Sequence, residues 1–93
     1  MLAAPSGQEI GTGDSGPFGG NMDFNRVTKH ASVYLPVYNK GGLLYLGDGH
    51  AAQGDGELNW MALETSLDFS FTVKLIKNPV KKIDYPRIED DAY

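Results

Sequence analysis

Ninety-three residues carry eight Lys and Arg against twelve Asp and Glu, a formal net charge of −4, with 41% hydrophobic and 22% charged residues and no cysteine. That composition excludes a disordered chain, a disulfide scaffold, thiolate metal sites and a Cys nucleophile, and it argues against nucleic acid as the main partner, since phosphate binding needs a net basic surface. No apolar run approaches the ~18 residues of a membrane span, so no membrane partner is expected, and a single domain of this size buries only roughly 60–65% of its unfolded surface.

Glycine divides the chain. All twelve glycines lie between Gly7 and Gly56, which predicts a loop-rich front (residues 1–26) and a strand-rich core (residues 31–88) within one domain. The start, MLAAPSGQEIG, lacks the basic region and long apolar stretch of a signal peptide. A cytoplasmic location is the default expectation, with a periplasmic one if a signal had stood upstream.

From residue 7 to 25 the run GQEIGTGDSGPFGGNMDFN has turn residues at nearly every other position; a loop of that length in a compact domain is usually functional when ordered. Residues 31–38, ASVYLPVY, alternate Val33, Leu35 and Val37 with polar or cyclic neighbours, and Pro36 pushes this strand toward an edge or bulge. A turn at residues 39–42 and the apolar residues 43–46 complete a predicted hairpin. After a second loop, residues 58–65 read as strand in preference to a single helical turn. Residues 66–76, SLDFSFTVKLI, show the clearest period of two, with Leu67, Phe69, Phe71, Val73 and Leu75 on one face and Ser66, Asp68, Ser70, Thr72 and Lys74 on the other. Asn78-Pro79 ends that strand, and residues 83–88 form a last extended segment. With no helix of convincing length, the fold class is all-β and antiparallel, a sandwich or barrel or the core part of one.

The loop of residues 47–57, GDGHAAQGDGE, carries the chemistry. It packs Asp48, Asp55 and Glu57, the imidazole of His50 and the carboxamide of Gln53 among nothing but Gly and Ala. Small residues let backbone approach a ligand, and neutral His with carboxylates is the donor set of hydrolytic divalent sites, where a metal polarises a carbonyl and acidifies water. A solvated acidic turn or a weak Ca²⁺ loop is the plainer alternative. The EF-hand pattern fails because the third and fifth loop positions after Asp48 would be His50 and Ala52. In the front loop, Asn21 and Asp23 follow Gly19-Gly20, which suits either an Asx-turn or a site wall. Glu64 stands ahead of the long strand as a candidate base or ligand, or as a plain exposed position. His30 reads as a surface histidine, and Trp60 and Met61 as core or interface.

Two motif matches carry nothing. Gly11 to Gly16 satisfies G-x-G-x-x-G, but no apolar strand precedes it and no helix follows. Gly13-Asp14-Ser15-Gly16-Pro17 echoes a trypsin-type nucleophile loop, yet both histidines follow Ser15.

Taken in order, GPFGGNMDFN, then SVYLPVYNKGGLLYLGDGHAAQGDGE, then ALETSLDFSFTVKLIK resemble the acetamidase/formamidase family, in wording and in spacing, over almost the whole chain from Ile10 onward. The resemblance implies hydrolysis of small linear amides to carboxylate and ammonia, on an antiparallel β-sandwich with long Gly-rich active-site loops and a divalent metal, Zn²⁺ or Ca²⁺. It further implies a site lined by Asp48, His50, Gln53, Asp55 and Glu57, with Asp23 and Glu64 close by. On that basis Asp23, Asp48, His50 and Asp55 are the expected metal ligands, and Glu57 or Glu64 the proton shuttle. Gln53, Asn21 and Gly20 are expected to orient the amide. Family members run to several hundred residues, which predicts a homo-oligomer or a complementing chain. Asn59-Trp60 stands where many relatives have smaller residues, which bears on substrate size. The rival expectation is a truncated sandwich module that binds metal or assembles without turnover.

Overall fold

The computed structural model describes residues 1–57 and 61–92. Among them there is no helix, and every strand pair is antiparallel: β1 (Ser15–Gly16) with β2 (Gly19–Gly20), β3 (Ser32–Tyr34) with β6 (Arg87–Glu89), and β4 (His50–Ala52) with β5 (Leu63–Glu64). The all-β antiparallel expectation holds. A sandwich needs two broad sheets facing each other, and the described residues form three separate two-stranded ladders. Among the described residues no helix is long and apolar enough to cross a membrane.

The front segment is more ordered than a run of turn residues suggests. Pro17 and Phe18 form the two-residue turn of a tight hairpin with register Ser15↔Gly20 and Gly16↔Gly19. Gly20 cannot be replaced by a larger residue without cost: its φ is +98°, and a Cβ there would lie 2.2 Å from the carbonyl oxygen of Asp14. Phe18 tucks under Gly16 and, among the described residues, is one of only two buried apolar ones, Ala4 being the other. The core is therefore small and sits beneath this hairpin.

The predicted hairpin between residues 31–38 and 43–46 does not form. Strand β3 pairs instead with β6, some fifty residues on, as Ser32↔Glu89, Val33↔Ile88 and Tyr34↔Arg87. Pro36 explains why the ladder stops at Tyr34, since it has no N–H to donate. The turn itself is present, with Gly42 N–H donating to Asn39 C=O. Residues 43–46 are not strand; the N-terminal residues take that edge. Met1 and Tyr45 exchange backbone hydrogen bonds of 2.7 and 2.8 Å, and Ala3 N–H donates to Gly42 C=O. Local alternation announced a strand and was silent about its partner.

Side chains reinforce the β3–β6 pair. Tyr34 O–H donates to Glu89 (2.9 Å), the Arg87 guanidinium lies 5.7 Å from the Tyr34 ring centroid and also pairs with Glu89, and Arg26 binds Asp90 at 2.7 Å. The phenol pKa of Tyr34 is raised above its usual 10.0, chiefly by donating to the Glu89 carboxylate and then by that carboxylate's charge, with Arg87 opposing. A raised folded-state pKa stabilises the protonated form. The contribution of this bond is thus complete below pH 10 and is lost as pH climbs through the raised value. Titrating the Tyr34 ring resonances should show it ionising after the same ring in a Glu89→Gln variant; simultaneous ionisation would remove the bond from the account.

Residues 66–76 depart furthest from expectation. They run without turn or bend, yet have no ladder partner among the described residues, and Leu67, Phe69, Phe71, Val73 and Leu75 are 49–70% exposed. A strand is defined by its neighbours, and no described segment supplies one. Leu63–Glu64 confirms strand just ahead of it, while residues 58–60, including Trp60, lie outside the described residues; Met61 is exposed rather than core.

Candidate active site

His50 opens β4 and faces Glu64 of β5 across the ladder, and a bulge between His50 and Ala52 re-aims the strand. Thr65 N–H donates to Gly49 C=O (3.0 Å), carrying the pairing one residue further. Gly49 is fixed by contact. A Cβ there would fall 2.3 Å from Leu67 Cδ1 and 2.6 Å from its Cγ, so the isobutyl group of Leu67 rests directly on the loop. Gly49→Ala should therefore destabilise the chain by roughly 1–3 kcal/mol, and Leu67→Ala in the same chain should recover most of it. Denaturant midpoints of the two single variants and the double variant measure this.

Asp23 and Asp48 both occupy the left-handed region, with φ of 43° and 60°. Aspartate visits it more readily than most residues but still at a cost, and such backbone strain concentrates at functional sites. The two loops meet through Gln53. Its Nε2 donates to the backbone carbonyl of Asp23, and its Oε1 lies 2.7 Å from His50 Nδ1. Because a carbonyl can only accept, the amide nitrogen must face Asp23 and the amide oxygen must face the ring, which makes His50 Nδ1 a donor. The other ring nitrogen, Nε2, faces the Asp48 carboxylate; in the neutral ring it carries no proton and can ligate.

Two carboxylates flank that ring. Asp48 Oδ1 is 3.3 Å from Nε2, and Glu57 Oε1 is 3.6 Å from Nδ1. The side chains of His50 and Glu57 are each only 12% exposed, whereas that of Asp48 is 57% exposed. The imidazole pKa is raised, first by its hydrogen bond to Gln53, with burial opposing, and then by the charges of Asp48 and Glu57 and a hydrogen bond to Asp48.

Donor atoms of Asp23, His50 and Glu57 lie within 4.8 Å of one another, and so do those of Asp48, His50 and Glu64. That separation is the geometric limit for sharing an ion, since two ligands each about 2.0–2.4 Å from one metal can be no further apart. His50 belongs to both groups. Of the expected ligands and shuttles, Asp23, Asp48, His50, Glu57 and Glu64 thus converge. Asp55 does not join them; it accepts from Asn25 Nδ2 (3.0 Å) and ties the two loops together. Asn21 donates to the Asp23 carboxylate (2.9 Å), and Gly20 shapes the hairpin that precedes it. Pattern reading missed Asn25 and Leu67 as supports of the site, because neither sits in a recognisable spacing relative to its partner.

A family model described as the acetamidase/formamidase family matches residues 10–89. Among curated proteins, the chain is 48% identical to the formamidase of Methylophilus methylotrophus over 69% of its own length and 16% of that protein's. It is 40% identical to the acetamidase of Mycolicibacterium smegmatis over 63% of its length and 15% of that protein's. The chain thus spans about a sixth of the length of the curated relatives it matches. No solved structure matches it at a significant level. The match runs through the front hairpin, the GDGHAAQGDGE loop and the β4–β5 pair alike, and the chain belongs to the acetamidase/formamidase family.

Proposed function

We propose that this chain provides the centre of a site that hydrolyses small linear amides of the formamide and acetamide type, assisted by a divalent metal, Zn²⁺ or Ca²⁺. The observation that carries the reading is the convergence of four carboxylates on one imidazole whose Nδ1 is already committed to Gln53. The donor chemistry fits a divalent cation: one neutral nitrogen, hard carboxylate oxygens, and a second partner on the ring that fixes its tautomer. Since Nδ1 donates to Gln53, Nε2 is the ligating atom, which favours Asp48, His50 and Glu64 as the holding group. A metal there supplies polarisation of the amide carbonyl and acidification of water.

The remaining work falls to side chains. Glu57, largely enclosed and 3.6 Å from His50 Nδ1, would take a proton from water and return it to the leaving nitrogen, the double duty amide cleavage demands. Asn21 and the Gly20 backbone stand beside Asp23 where an amide could be oriented. Chelation and dialysis against EDTA should remove at least nine-tenths of ammonia release from formamide, and one equivalent of Zn²⁺ or Ca²⁺ should restore it. Stoichiometric metal with no ammonia above background would overturn turnover and leave a metal-binding, non-catalytic β module. That second reading draws its support from the small share of its relatives' length that the chain spans.

A further inference from the structure

Two side chains of the GDGHAAQGDGE loop reach the front segment. Gln53 bonds both His50 and the backbone carbonyl of Asp23. Asp55 accepts instead from Asn25 Nδ2 at 3.0 Å, a bond strengthened by the charge of the carboxylate. Position in the chain gives that bond its leverage. Asn25 stands two residues after Asp23, and Asp55 two residues before Glu57. The bond therefore closes just behind both of the carboxylates whose oxygens gather with a His50 ring nitrogen inside 4.8 Å.

The two partners differ in how they are held. Residues 23–26 are anchored along their length: Asn21 donates to the Asp23 carboxylate, Val27 N–H closes a turn onto Phe24 C=O at 3.0 Å, and Arg26 pairs with Asp90, just past β6, at 2.7 Å. Asp55 stands between Gly54 and Gly56, where a Cβ on either glycine would meet nothing within 4 Å among the described residues, and Gly56 takes a φ of +85°. Glycine leaves the backbone its widest choice of direction. The approach of Glu57 to within 3.6 Å of His50 Nδ1 thus follows a stretch that needs a hold from outside the loop.

We propose that Asn25 and Asp55 are positioning residues, a clasp that sets the Glu57 carboxylate beside His50. Asn25 offers a donor on the anchored segment, and Asp55, by binding it, fixes the course of the Gly-flanked stretch that leads to Glu57. Asp55 then orients the site instead of ligating in it. The role given to Glu57 rests on the amidase reading; the geometry of the clasp does not. Two properties separate as a consequence. His50 and Glu64, of the group favoured for holding metal, face each other across the β4–β5 ladder, which holds them without the clasp. Proton transfer through Glu57 has no such second support, and misplacement of a reacting group by about 1 Å can cost on the order of a hundred-fold in rate.

Variants of the whole chain test this. Asn25→Asp breaks the clasp by setting two carboxylates together, and Asp55→Ala by removing the acceptor. Asn25→Asp combined with Asp55→Asn exchanges donor and acceptor at unchanged net charge and should close it again. In the metal-free chain, nuclear Overhauser contacts between the Glu57 side chain and the His50 ring are expected in the parent and the exchanged chain and lost in both breaking variants. The cross-strand contacts of His50 with Glu64 should persist in every chain. With Zn²⁺ added, the breaking variants should lower kcat for formamide about 10–100-fold while Zn²⁺ affinity stays near the parent's, and the exchange should recover most of kcat. Survival of the Glu57–His50 contacts in Asp55→Ala overturns the clasp. So does an exchanged chain no better than Asn25→Asp, or loss of the His50–Glu64 contacts along with those of Glu57, the mark of a general structural role. Asp55→Ala that loses Zn²⁺ as His50→Ala does would overturn it too, by making Asp55 a ligand. A parent chain that releases no ammonia overturns the amidase reading, and the contacts in the metal-free chain still decide the clasp.

Discussion

His50→Ala is expected to abolish stoichiometric metal retention and to lower ammonia release from formamide on the order of a thousand-fold. The size follows from position. His50 is the one nitrogen donor common to both donor groups, so its loss leaves two sets of carboxylates with no soft partner and with mutual repulsion in place of charge balance. It also strips Gln53 of its acceptor role, freeing the amide that joins the two loops. Catalytic loss of that order matches removal of a group on which water activation depends. Metal content by elemental analysis and ammonia by enzymatic assay, on a variant whose thermal midpoint stays near that of the parent, make the comparison. A variant that keeps its metal and most of its turnover would place the reaction elsewhere in the family fold.

The GDGHAAQGDGE loop and the donors that gather in it were legible from residue type, because acids, imidazole and amide among Gly and Ala have few other uses. Their division of labour was not legible. Asp55 looks equivalent to Asp48 in the sequence, each following a glycine and preceding one, yet it turns to Asn25 while Asp48 turns to His50. Which way a side chain points in a loop depends on a partner thirty residues away, and spacing within the loop carries no record of it. The same physics governs the strands. Alternation at residues 31–38 reported a half-buried extended segment, but pairing with residues 87–89 closes a contact across half the chain, and a period of two says only that some neighbour is needed. Residues 66–76 make the point in reverse: the strongest strand pattern in the chain is the one without a ladder partner among the described residues, because alternation records a need for a neighbour and not its identity.

Gln53 divides two effects that His50→Ala removes together, and its variants carry the second large expectation. Gln53→Leu deletes both the acceptor for His50 Nδ1–H and the donor to the Asp23 carbonyl. The ring is then free to turn and to change tautomer, and metal affinity should fall 10–100-fold, the usual consequence of losing a group that orients a ligating imidazole. Gln53→Glu keeps an acceptor for the ring and loses the donor to Asp23, placing a carboxylate against a carbonyl oxygen. Its metal affinity should stay within a few-fold of the parent, while KM for the amide rises as the Asp23 loop is pushed away. Metal titration separates the two variants, and the nitrogen chemical shifts of His50 report directly whether Nδ1 still holds the proton. If Gln53→Leu bound metal as tightly as the parent with the tautomer unchanged, the ring would be held by Asp48 and Glu57 alone. The assignment of Nε2 as the ligating atom would then lose its basis, because that assignment rests on the amide of Gln53 being pinned by Asp23 on one side and turned to the ring on the other.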